Sequence, residues 1–182
     1  KFYQASTSEI FGNTSSPQSE KTPFKPASPY AISKLYAYWI TKNYRDAYNL
    51  FAVNGILFNH EGCRRGETFV TRKITNSVAR IFHGSKEKIY LGNLDAKRDW
   101  GDAEDYIVSM WKMLQQKKPD DYVVGTGDTK SIKYFVEKAF EVVDLKYEKY
   151  LKINKKFFRP AEVELLVADS SKIIKKTGWK AK

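Results

Sequence analysis

The chain has 182 residues, enough for one ordinary domain or one domain and part of another, and 42% of them are hydrophobic, so a packed core is expected. A single cysteine, Cys63, excludes an intrachain disulfide and suits a reducing, cytoplasmic compartment. No apolar run reaches membrane-spanning length, and the net charge of +11 comes without a zinc-finger, homeodomain or RRM signature, so neither a membrane nor a nucleic acid is an expected partner.

Lys1 is followed at once by a strand-like stretch, which reads as a chain that begins mid-domain. Phe2 to Ser6 reads as a buried strand, with Ser6-Thr7-Ser8-Glu9 at its carboxyl end. Three hydroxyls and a carboxylate there can bond a sugar and move a proton. The same residues can equally form a turn whose hydroxyls satisfy backbone groups. Residues 13 to 29 hold four prolines among polar residues and read as an irregular loop. A helix then runs from Pro29 to about Tyr48, with Ser28 as N-cap, Asn49 as C-cap and Leu35, Tyr38, Trp39 and Ile40 on its apolar face. Tyr30 and Lys34 are four apart and share one helical face. A free phenol titrates near ~10, and an ammonium beside it favours the phenolate.

Phe51 to Phe58 is a near-continuous apolar run, the mark of a strand covered on both faces in a parallel sheet. Strand, loop, helix, strand makes one βαβ crossover. Asn59 to Gly66 follows at that strand's end, with Arg64 and Arg65 beside glycine, a pattern suited to phosphate. His60, Glu61 and Cys63 make no metal site, because no fourth ligand stands at a usual spacing. Phe69 to Phe82 reads as a helix with Val70, Ile74, Val78, Ile81 and Phe82 inward and Lys73 in its first turn. Lys88 to Leu91 is a short strand, and Gly92 to Gly101 a loop whose Asp99 caps the next helix. That helix carries Asp102, Glu104 and Asp105 in its first turn and ends near Gln116. After a strand at Tyr122 to Val124, Gly125-Thr126-Gly127 is a turn, not a dinucleotide fingerprint, since the third glycine is absent. Ser131 to Val143 is an amphipathic helix. The lysine-rich stretch 146 to 156 reads as exposed, Val163 to Val167 as extended, and Ser170 or Ser171 as the cap of a short last helix near Gly178.

Taken together these motifs resemble the extended short-chain dehydrogenase/reductase superfamily. The stretches KFYQASTSEIFG, SPYAISKLYAYWITKNYRDAYNLFAVNGILFNHE, RRGETFVTRKI, LGNLDAKRDWG and FFRPAEVELLVAD are similar to the GDP-mannose 4,6-dehydratase family over nearly the whole chain. The resemblance implies an α/β fold: the C-terminal part of a Rossmann-type doubly wound parallel sheet over residues 1 to 62, and a smaller mixed α/β substrate-binding domain over 63 to 182. It implies NADP as cofactor and GDP-mannose as substrate, dehydrated to GDP-4-keto-6-deoxymannose, a precursor of GDP-fucose. It also implies a homodimeric or homotetrameric parent enzyme. By the same resemblance Tyr30 is the base for the O4 proton, and Lys34 holds it acidic and bonds the nicotinamide ribose. Thr7 bonds the sugar near O4, and Glu9 removes the C5 proton. His60 and Arg65 lie near NADP, and Asn59, Lys73, Asn93, Arg98, Arg159 and Glu162 hold the GDP-sugar.

The sequence departs from the family pattern in places. Cys63 stands where proline is expected, Ile32-Ser33 replaces smaller residues, and the region between Val143 and Phe157 is shorter. The family's opening strand, glycine-rich turn and helix, which cradle the NADP diphosphate, have no counterpart. An open sheet edge and no turnover by this chain alone are therefore expected. Other readings are a nucleotide-sugar epimerase or reductase of the same superfamily, or a non-catalytic nucleotide-sugar binding module. Glu9 favours a dehydratase, since neither rival enzyme needs a C5 base there.

Overall fold

The computed structural model describes residues 1–158 and 163–182. Its main sheet has three parallel strands in the order β1 (Phe2–Thr7), β2 (Ala52–Leu57) and β6 (Asp121–Val124). Helix α1 (Pro29–Tyr48) joins β1 to β2 as the expected crossover. Alternation along the strands sorts their side chains to two faces. Ile56, Phe58 and Val123 pack with Tyr38 of α1. Val53, Leu57, Tyr122 and Val124 pack on the other face with α3 (Ala103–Leu114) and α5 (Ser171–Thr177), through Tyr106, Met113 and Ile173. A sheet covered on both faces needs an apolar central strand, and every residue of β2 is buried.

A second lobe packs α2 (Val70–Phe82) and α4 (Ile132–Glu141) through Ile74, Val78, Ile81, Val136 and Phe140. It carries β4 (Ile89–Leu91) paired in parallel with β8 (Leu151–Ile153). Between the lobes, β5 (Lys97–Asp102) pairs in parallel with β3 (Asn59–Glu61) and antiparallel with β7 (Thr129–Ser131).

Several expectations are corrected. β1 is buried only at Ser6 and Thr7, because its outer edge meets no strand among the described residues. Trp39 and Ile40 are exposed: α1 is apolar on two sides and the sheet covers only the one bearing Ala31, Tyr38 and Thr41. Phe82, at the last turn of α2, is exposed too. Residues 97–102 form a strand, not a loop, and Asp102 caps α3, accepting from Glu104 N–H at 2.7 Å and Asp105 N–H at 3.3 Å. The lysine-rich stretch contains β8, whose pairing to β4 overrides its weak local pattern.

One buried charge locks the crossover. Asp121 at the start of β6 accepts two bonds from Arg45 of α1, at 2.9 and 3.0 Å. It accepts two more, from Asn54 Nδ2 at 2.8 Å and Tyr38 OH at 3.0 Å. Burial alone would raise its pKa, but the bonds from Arg45 and Asn54 outweigh that and hold the carboxyl below its ordinary 3.8. A depressed carboxyl contributes stability that is whole above the unfolded pKa and lost as pH falls through the folded one. Asp121→Ala, which strands Arg45, is expected to cost about 3–5 kcal/mol in urea unfolding. Asp121→Asn is expected to flatten the acid limb of stability below pH about 4, measured by denaturation at a series of pH values.

Candidate active site

The three parallel strands end together. Thr7 is in register with Leu57, and Leu57 with Val124, so Ser8–Glu9, Phe58–Asn59 and Gly125–Thr126 leave the sheet along one edge. In open parallel sheets ligands bind at that edge. Thr7 caps a 3-10 turn at Ser8–Ile10, its Oγ1 accepting from Glu9 N–H at 3.3 Å. The turn and the chemistry are compatible, since the hydroxyl accepts that bond and keeps its own proton to donate. Glu9 is half-buried beside it.

Tyr30 and Lys34 occupy the first two turns of α1. Ser28 Oγ accepts from Ala31 N–H at 3.1 Å, and Pro29 takes the first helical position, so this end of the helix is well capped. Lys34 Nζ donates to the carbonyl of Ala5 at 2.9 Å, two residues before Thr7, and lies 5.8 Å from the Tyr30 ring centroid. The ammonium thus stands between the strand end and the phenol. Tyr30 is 53% exposed and reachable from solvent. The structure therefore places Thr7, Glu9, Tyr30 and Lys34 around the end of one strand.

Asn59 and His60 continue from β2 into β3. His60 Nδ1 bonds the Phe58 carbonyl at 2.9 Å, and because a carbonyl only accepts, Nδ1 carries the proton. The imidazole stacks on Tyr106, with centroids 5.1 Å apart. Burial pushes the Tyr106 phenol well above its usual range, so that ring stays neutral. Asn59 is in register with Trp100 of β5, two residues from Arg98. Arg65 is turned back on its own loop. Its Nε lies 3.0 Å from Glu61 Oε2, off line for a hydrogen bond, and its guanidinium sits 3.6 Å from the Phe69 ring centroid. Thr71 Oγ1 donates to the same carboxylate at 2.6 Å. An anion reaching Arg65 has to compete with Glu61.

Lys73 and Asn93 form a second group at the end of β4. Lys73 Nζ donates to the Tyr90 carbonyl at 2.6 Å, and burial lowers its pKa from the ordinary 10.5. Asn93 Oδ1 accepts from Asp95 N–H at 2.9 Å. Arg98 is buried on β5 and donates to the Lys97 carbonyl at 2.9 Å. Arg159 and Glu162 lie outside the described residues. No group of three or more histidine, cysteine or acidic residues able to hold a metal occurs among the described residues. No described helix is long and apolar enough to cross a membrane.

Asp99, expected as a helix cap, is instead the fully buried centre of the lobe junction. Oδ1 accepts from Thr126 N–H at 2.8 Å and Thr126 Oγ1 at 2.6 Å, and Oδ2 from Gly127 N–H at 2.8 Å and Ala168 N–H at 3.0 Å. Gly125 is required beside it, since an added Cβ would come within 2.3 Å of the Ala168 Cβ and 3.0 Å of Asp99 Oδ2. The turn at 125–127, whose N–H groups need an acceptor, was the available signal; a buried aspartate between Arg98 and Trp100 was the answer to it. Asp99→Ala leaves these donors without their acceptor and is expected to cost more than about 3 kcal/mol in urea unfolding.

Comparisons with known proteins give the family and the fold. The family model described as GDP-mannose 4,6 dehydratase matches residues 1–182. GDP-mannose 4,6 dehydratase 1 of Arabidopsis thaliana is 56% identical over 182 residues, covering 100% of this chain and 50% of the relative. The Homo sapiens GDP-mannose 4,6 dehydratase is 52% identical over 198 residues, covering 99% of this chain and 53% of the relative. The chain thus spans about half the length of the curated relatives it matches. Among solved structures, RMD from Pseudomonas aeruginosa complexed with NADPH superposes with a TM-score of 0.91 at 22% identity, covering 100% of this chain and 61% of that one. The dTDP-glucose 4,6-dehydratase of Bacillus anthracis in complex with NAD gives 0.87 at 21%, covering 99% and 56%. At such identities the two structures speak for the fold alone, a Rossmann-type α/β sheet with a second lobe.

Proposed function

The chain belongs to the GDP-mannose 4,6-dehydratase family, and we propose that it carries the reacting side chains and the sugar-nucleotide contacts of an NADP-dependent dehydratase that converts GDP-mannose to GDP-4-keto-6-deoxymannose. The observation that supports this most is the grouping of Thr7, Glu9, Tyr30 and Lys34 at one strand end, held by the Lys34–Ala5 bond.

The residues suit the nicotinamide end of a dinucleotide. Ser6 Oγ is buried one residue before Thr7 with no hydrogen-bond partner among the described residues, and Lys34 has two ammonium protons beyond the one given to Ala5. No glycine-rich strand-to-helix turn stands among the described residues to hold the diphosphate. When bound, the nicotinamide supplies a temporary acceptor for hydride.

In this reading Thr7 donates to the sugar near O4, and Tyr30 takes the O4 proton as C4 is oxidised. The resulting 4-keto group acidifies C5–H. Glu9 then removes the C5 proton and passes it to the departing C6 hydroxyl, which leaves as water, and return of the hydride to C6 with a proton to C5 gives the 4-keto-6-deoxy product. Lys34 orients the phenol and bonds the nicotinamide ribose. Asn59, Lys73, Asn93 and Arg98 engage the GDP portion, and Arg159 and Glu162 join them. The 182 residues alone are expected to bind GDP but not to turn over GDP-mannose.

The test uses the chain fused to the amino-terminal half of a curated relative, supplied with GDP-mannose and NADP. Tyr30→Phe is expected to lower turnover at least about 100-fold, the scale of a lost general base. Glu9→Gln is expected to accumulate a GDP-4-keto sugar that still carries its C6 hydroxyl, seen by mass spectrometry. Full turnover by Glu9→Gln would reject the assigned elimination base.

A further inference from the structure

Phe157 is an aromatic side chain presented to solvent from a hydrogen-bonded backbone. It is 50% exposed, yet its backbone is fixed from several sides. β8 ends at Ile153 against Leu91, and Asn154 N–H donates to the Leu91 carbonyl at 2.8 Å. Phe157 N–H donates back to the Asn154 carbonyl at 3.1 Å. Gly92 lies directly beneath, where an added Cβ would come within 2.5 Å of the Phe157 carbonyl oxygen. Lys73 Nζ lies over one face of the ring, 4.2 Å from its centroid, which leaves the other face for a ligand.

A single exposed phenylalanine needs no special reason, and shielding the lysine stem is an ordinary use for one. Two features go beyond that. The local fold spends a glycine contact and two backbone bonds on holding this ring at the surface. It also stands against Gly92, the residue before Asn93, and under Lys73, and Asn93 and Lys73 are two of the residues read above as contacts to a sugar nucleotide. In a nucleotide one ribose separates the charged phosphates from the flat base. A cation for the former beside an aromatic face for the latter is therefore the complementary pair.

We propose that Phe157 is a stacking platform for the base of a purine nucleoside diphosphate whose phosphates engage Lys73. The proposal rests on the sugar-nucleotide reading and adds to it the residue that receives the base. Stacking is tolerant of base identity, because every base has a π face, so Phe157 contributes affinity and the polar groups around it select guanine.

The test is calorimetric titration of the 182-residue chain with GDP and, separately, with inorganic pyrophosphate. Stacking of one base on an aromatic ring is expected to make Phe157→Ala and Phe157→Leu bind GDP roughly tenfold more weakly. Phe157→Trp is expected to retain GDP affinity, and all three variants to bind pyrophosphate as the parent does. The leucine variant keeps an apolar side chain, so a folding defect in the alanine variant leaves the test intact. Unchanged GDP affinity in Phe157→Leu overturns the proposal, as does a parallel loss of GDP and pyrophosphate. A parent chain that binds neither ligand overturns the sugar-nucleotide reading itself, and the proposal with it.

Discussion

A buried carboxylate has to be paired, and the pairing of Asp121 decides where Tyr30 and Lys34 stand. A lone charge out of water is strongly unfavourable, so each bond Asp121 accepts is also a geometric requirement. Arg45 meets it with a two-pronged contact that only one rotation of α1 allows. Tyr38, two turns nearer the start of the helix, meets it from the same side. A 20-residue helix is a rod about 30 Å long. Pinning its second half to β6 therefore sets the height and rotation of its first two turns. Those turns hold Tyr30 and Lys34, and the Lys34–Ala5 bond fastens the near end to β1. The Tyr30 phenol is thus positioned by a charge pair in the other half of its helix.

Asp99 meets the same requirement with different partners. Its acceptors are filled by backbone N–H groups and one hydroxyl, not by a cation. Those donors belong to the turn after β6 and to the segment at Ala168. Asp99 itself belongs to β5, beside Arg98. One carboxylate therefore joins the main sheet, the junction strand and the C-terminal segment. Gln18 adds to this from the long loop, its Oε1 accepting from Val167 N–H at 2.8 Å while its backbone bonds Val167 and Asp169. Loops rich in unpaired backbone groups become as specific as strands once one buried side chain collects them.

Much of the main sheet was legible in the sequence because its signals are local. Ser28-Pro29 and Asn49 mark the ends of α1, and the near-continuous apolar run to Phe58 marks a strand covered on both faces. Spacing put Thr7 and Glu9 at a strand's carboxyl end and Tyr30 and Lys34 on one helical face, while their roles were implied only by the family resemblance. What escaped was non-local. β5 looks like a loop because its polar residues face a junction, where Asp99 collects the backbone N–H groups of Thr126, Gly127 and Ala168. β8 is too short and too lysine-rich to announce itself and exists because β4 lies beside it. Trp39 and Ile40 could not be assigned a side, because a helix apolar on two faces does not say which face meets the sheet. The engagement of Arg65 by Glu61 was also hidden, since a basic loop and a self-neutralised one have the same composition.

The cations of the site fall into two kinds, and the difference bears on chemistry. Arg65 rests against a carboxylate, so its charge is already answered within its own loop. Lys34 and Lys73 rest on backbone carbonyls, those of Ala5 and Tyr90. A carbonyl fixes an ammonium in place and leaves its net charge unanswered. Burial makes that costly for Lys73, whose pKa falls accordingly, and an arriving anion would reverse the penalty. Lys34 is held in the same way, 5.8 Å from the Tyr30 ring centroid. In both places the fold keeps a positive charge oriented without satisfying it, which is how preorganised sites favour a negative group that appears only on binding or during reaction.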